Sequence, residues 1–171
     1  MFWKSKPVQF DNRVYSALMP EAKKMIDDLR ALVSEIEENQ NGYDLLTDVR
    51  EFEVLACKLL LSYQRRKKAV LNFKIPTIKL DIEKSYDLTS IEKEKFDAAY
   101  RERAELVKRK KENFLNLKSS LELIKLQFEN IFLYLTSLNE SLMVDEHYAP
   151  TNMAAKLDDA RELLKIYGYS S

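Results

Sequence analysis

From Tyr100 to Leu142 an apolar residue returns at every seventh position: Tyr100, Val107, Phe114, Leu121, Phe128, Leu135 and Leu142. No glycine or proline falls inside the stretch. A seven-residue apolar repeat held this long keeps one stripe of a long helix against partner helices. The repeat therefore predicts an all-α fold organised around one helix much longer than the rest.

The remaining chain agrees. Two glycines and four prolines leave few turns, and a third of the residues are charged. Such a mix favours long helices over sheets. A chain of 171 residues suits a single domain, 1–171, with a real core. The spacing predicts helices over about 20–39, 43–73, 90–143 and 152–167. Pro20 suits a first helical position, and Asp11 is placed to cap an earlier turn through Val14, Tyr15 and Leu18. Asn39-Gln40-Asn41-Gly42 ends the first helix and makes the next its antiparallel neighbour. Thr89 followed by Glu92 reads as a capping box. Lys74 to Leu88 reads as an extended connecting strap, because Pro76 blocks a helix and Ile78, Leu80 and Ile82 alternate with polar residues. The expected architecture is a mainly antiparallel four-helix bundle, a helical hairpin with a very long third helix.

That third helix divides near Asn113. Before it, Ile91, Phe96, Tyr100, Ala104 and Val107 make a narrow stripe, with Arg103 and Lys110 at positions that should be apolar. After it, Leu117, Ile124, Ile131 and Leu138 add a second seven-spaced row, and Leu115, Leu123, Leu126, Phe132 and Tyr134 widen it. The broad half is expected to be covered on several sides by the other helices. The narrow half is either part of a two-helix arm or a surface for a partner, another protein or a second copy of the chain.

Charge is balanced, 28 basic against 28 acidic residues, so no global field draws nucleic acid or a membrane. Locally it is uneven. Two basic blocks occur, Arg65-Arg66-Lys67-Lys68 and Lys108-Arg109-Lys110-Lys111. They are candidate sites for nucleic acid or an anionic membrane surface. The plainer reading is mutual neutralisation. Antiparallel packing would set Glu92, Glu94 and Asp97 beside the first block, and Glu51 and Glu53 beside the second. Arg66 is the one charged residue in an otherwise apolar row of the second helix.

Catalytic and metal signatures are missing. His147 is the single histidine and Cys57 the single cysteine. A four-helix di-metal site needs two Glu-x-x-His elements, and a zinc-protease helix needs two histidines. No Gly-rich phosphate loop is present. The sequence therefore leads to no expected cofactor, metal, catalytic residue or small-molecule substrate. The N-terminus lacks the apolar core of a secretory signal, no run reaches the ~20 apolar residues of a membrane span, and the chain is expected to be cytoplasmic. Phe2 and Trp3, flanked by Lys4 and Lys6, form an aromatic tip suited to docking on a partner or on the core. The resulting expectation is a non-catalytic helical scaffold or adaptor. It would bind protein, or itself, through coiled-coil-like faces at Phe2, Trp3, Phe96, Tyr100 and Val107.

Overall fold

The computed structural model describes residues 10–39, 45–74, 89–145 and 147–168. The tip at Phe2 and Trp3, and the strap from residue 75 to 88, lie outside the described residues. Among the described residues five helices follow in order: α1 Asn12–Ser16, α2 Pro20–Asn39, α3 Leu46–Leu71, α4 Ser90–Val144 and α5 Met153–Tyr167. The fold is all-α, with no strand among the described residues. α4 is continuous through 110–113, as no residue there breaks an α-helix.

The contacts divide the chain into two units, Met1–Lys67 with Ser120–Ser171, and Lys68–Ser119. The first is a helical bundle. Its core draws on α2 (Ile26, Leu29, Val33, Ile36), α3 (Val49, Phe52, Ala56, Leu59), α4 from Ile124 to Leu142, and α5 (Met153, Leu157, Ala160, Leu163). Polar contacts fix the directions. Arg50 meets Glu37 while Gln64 meets Met19, so α2 and α3 are antiparallel. Phe52 meets Tyr134 while Arg66 meets Ser120, so α3 and α4 are antiparallel too. Near the end of α2, Asn39 Nδ2 donates to Asn139 Oδ1 at 3.0 Å, and Asn139 Nδ2 donates to Glu35 Oε2 at 3.1 Å. Asn139 is buried, and these bonds satisfy an amide that would otherwise be costly there.

α1 is the early turn that Asp11 caps. Its Oδ1 accepts from the Arg13 N–H at 2.9 Å. The Tyr15 hydroxyl donates to Asp27, and Gln64 bridges the α1–α2 junction by accepting from Met19 N–H and donating to the Ala17 carbonyl.

The apolar surface of α4 is less covered than its breadth implies. Leu115, Leu123 and Leu126, expected in the core, are exposed, as is Leu133; Phe132 and Tyr134 are half-buried. The reason is angular. Two seven-spaced rows already fill the face toward α2, α3 and α5, and residues beyond that face have no helix opposite them.

The second unit holds the last turn of α3 and α4 up to Ser119. Phe73 and Phe114 anchor it, with ring centroids 5.1 Å apart and Lys110 Nζ 5.8 Å from the Phe73 ring. The capping box at the start of α4 is formed. Glu92 N–H donates to Thr89 Oγ1, and Thr89 N–H donates back to Glu92 Oε2, both at 3.3 Å. Thr89→Ala removes half of this pair. It is expected to cost about 1 kcal/mol of local helix stability, read as faster amide exchange confined to the first turns of α4.

Candidate interaction surface

The repeat row on α4 grades along its length. Phe128, Leu135 and Leu142 are buried, whereas Tyr100, Val107, Phe114 and Leu121 are half-buried. In the stretch from Ser90 to Asn113, Tyr100, Arg103 and Val107 are half-buried and every other residue is exposed. Phe96 is 47% exposed, Leu106 53% and Ile91 66%. Phe96 lies one turn from Tyr100, with ring centroids 6.3 Å apart. Three of the five residues singled out for partner binding, Phe96, Tyr100 and Val107, thus share one helix face in this unit.

The basic residues separate into different roles. Arg66 is half-buried and engaged: Nη1 donates to Ser120 Oγ at 3.4 Å, Nη2 donates to the Tyr167 carbonyl at 3.1 Å, and the guanidinium lies 4.8 Å from the Tyr167 ring centroid. Ser62 donates to the same carbonyl at 2.7 Å, so two α3 side chains close the C-terminal end of α5. Nε of Arg66 is buried without a hydrogen-bond partner. Lys67 and Lys68 are exposed, with Lys67 Nζ 6.0 Å from the Tyr63 ring; Arg65 is exposed on the same turn. Lys108, Arg109, Lys110 and Lys111 are all exposed.

For Arg66, Glu51 and Glu53 the partners differ from those expected. Arg66 faces Ser120 and Tyr167, not Glu92, Glu94 or Asp97. Glu51 is taken by Arg161, whose Nε and Nη2 both donate to one of its oxygens, and Glu53 by Arg30 at 3.0 Å. The expectation assumed that α4 turns straight back at the end of α3. Core packing instead sets the alignment, with Phe52 against Tyr134 and Arg66 against Ser120 in the bundle, and Phe73 against Phe114 in the second unit.

No protein-family model matches the chain, and no curated protein or solved structure is significantly similar to it.

Chemistry inside the bundle is sparse. Cys57 is buried, and burial, with Asp11 and Glu53 nearby, pushes its thiol up to about 11. A thiol so placed is largely protonated at neutral pH and a poor nucleophile. Its alkylation in the folded protein at pH 8 is expected to be at least ~100-fold slower than that of a free thiol; a rate near that of an unstructured cysteine peptide would contradict this burial. The backbone N–H of His147 donates to Asp145 Oδ1 at 3.0 Å. Among the described residues no group of three or more His, Cys, Asp or Glu side chains is placed to hold a metal ion. A hollow of about 130 Å³ lies against Phe52, Ile131, Tyr134 and Lys156. Sites for drug-sized ligands begin near ~300 Å³.

Glu53 has its pKa raised by burial, an effect that Arg30 only partly opposes. The folded state thus holds the proton more tightly than the unfolded chain. This group's contribution to stability falls as pH rises from the ordinary glutamate range through its folded pKa, and is regained on acidification across that window. Glu53→Gln is expected to flatten that part of the profile, measured by urea unfolding at several pH values between neutral and the ordinary carboxylate range.

Proposed function

We propose that this protein is a non-catalytic, cytoplasmic helical scaffold that binds protein through the N-terminal half of α4, residues 90–113, in coiled-coil fashion. The observation that carries the reading is Phe96, 47% exposed on the same face as Tyr100, on a helix with a formed cap and an unbroken backbone. A helical stretch of this length draws little stability from itself. Its apolar stripe gains stability only when something covers it. Among the described residues no helix is long and apolar enough to cross a membrane, so the stripe is not part of a membrane span.

Amide hydrogen exchange at low protein concentration tests this. Residues 90–113 are expected to exchange far faster than 124–142, whose side chains form the bundle core. Equal protection of the two stretches would mean the face is already covered within one chain, and the reading would fail.

A second reading has one observation behind it. Among the described residues, Lys108, Arg109 and Lys111 are exposed with no carboxylate within ion-pair distance. As a polyanion site this block would bind heparin or anionic vesicles with an affinity that drops steeply as salt rises. Replacing Lys108, Arg109, Lys110 and Lys111 by Gln without loss of such binding rejects it. Arg66 is already engaged at the end of α5, which removes it from the other basic block as a ligand.

A further inference from the structure

The chain leaves α3 at one end of the second unit and enters α4 at the other. Phe73 packs on Phe114, with ring centroids 5.1 Å apart, whereas the capping box opens α4 at Thr89 and Glu92. Along an unbroken helix those two heights differ by ~38 Å. Residues 75–88 must cross that distance. As a helix they would rise only ~22 Å; extended, they reach ~50 Å at most. Most of their reach is therefore spent alongside residues 90–113. In that stretch of α4 only Tyr100, Arg103 and Val107 are half-buried. α3 ends at Leu71, and Phe73 sits ~10 Å short of Val107. α3 thus does not account for the burial of these three residues.

We propose that residues 75–88 seat on this face of α4, with Ile78 beside Val107, Leu80 beside Arg103 and Ile82 beside Tyr100. Spread evenly over the gap, the connection advances ~2.3 Å per residue, against ~3.3 Å for a flat strand. On that scale each of the three apolar residues arrives at the height of one of the three half-buried ones. Alternate residues of an extended segment share a side. Ile78, Leu80 and Ile82 therefore face α4 together, while Thr77, Lys79, Asp81 and Glu83 take the solvent side that their polarity suits. The same scale brings Lys84 and Ser85 to the height of Phe96. Neither offers an apolar cover, and Phe96 is the aromatic of this face left 47% exposed. The occupant between Tyr100 and Val107 is thus the chain's own connection, and the Phe96 end is what remains for another protein. This seating does not depend on any partner binding at Phe96.

Disulfide trapping in the full chain, with oxidised glutathione as oxidant, decides the matter. Ile82→Cys/Tyr100→Cys is expected to close its intramolecular disulfide at least ~tenfold faster than Ile82→Cys/Ala98→Cys, whose second cysteine is at nearly the same height but on the opposite side of α4. Ile78→Cys/Tyr100→Cys, out of register by ~10 Å, is expected to be as slow as that control. Cys57 stays in place, because it is buried and largely protonated. Equal rates for the first two pairs, or a faster out-of-register pair, overturn the seating. Hydrogen exchange gives a readout without added cysteines. Ile78→Ser/Leu80→Ser/Ile82→Ser is expected to speed exchange in 100–107 at least ~tenfold and to leave 124–142 unchanged, which also shows that the bundle is folded. Unchanged exchange in 100–107 overturns the seating as well. The docking reading fails separately: core-like protection of 90–113 in the unaltered chain, together with the fast same-face disulfide, ends that reading and upholds the seating.

Discussion

Phe52→Ala is expected to lower the unfolding free energy by about 3–5 kcal/mol, a fall of roughly 6–20 °C in Tm for a chain of this size. Phe52 is 0% exposed, and its ring centroid lies 5.6 Å from that of Tyr134 across the α3–α4 contact. Truncation removes the ring's burial and leaves a cavity that neighbouring helices fill only in part. Phe96→Ala is the matched control. Its ring is about half exposed, so in the monomer the change is expected to stay within about 0.5 kcal/mol. Chemical denaturation followed by far-UV circular dichroism gives both values. A loss below about 1 kcal/mol at Phe52 would mean that the α3–α4 alignment described here is wrong.

Arg161→Ala is expected to cost about 2–4 kcal/mol, more than an exposed ion pair would. The Glu51 side chain is only 15% exposed, and Arg161 supplies two donors to one of its oxygens. Removing the guanidinium leaves a mostly buried carboxylate with neither charge partner nor donors from that side. In a Glu51→Gln background the same change is expected to cost about 1 kcal/mol or less, because a neutral amide tolerates the loss. Urea unfolding of the four proteins in this cycle gives the coupling directly. Equal costs in both backgrounds would show the pair to be solvated and the bond geometry unimportant.

Much of this architecture is legible in the amino acids. The unbroken repeat from Tyr100 to Leu142 reports a helix that does run from Ser90 to Val144, and Thr89 with Glu92 marks its start through a reciprocal bond that is present. Asp11 and Pro20 mark two helix starts for similar local reasons. What escapes sequence reading is alignment between helices. Periodicity states which face is buried but not at what height it meets its neighbour. The expected partners of Glu51, Glu53 and Arg66 therefore differ from those they meet. Arg66 carried a signal, since a lone cation in an apolar row needs a buried acceptor. The carbonyl of Tyr167, about a hundred positions away, could not be named from spacing. Arg161 and Asn139 gave no such signal, because each sits among polar neighbours in sequence and acquires its role only from the helix opposite. The lower burial of α4 before Asn113 was legible in the narrowness of its apolar stripe, which Lys110 interrupts.

A periodic pattern is indifferent to being slid by its own period. Shift α4 by two turns along the bundle and leucine would still face leucine. The bonds that join Asn139 to Asn39 and to the Glu35 carboxylate end that indifference. Slid by seven residues toward its C-terminus, α4 would set Phe132 beside Asn39 instead of an amide, and Glu35 and Asn39 would both lose their bonds to it. One buried amide and its two partners thus act as a vernier mark, turning a family of equally greasy stackings into a single one.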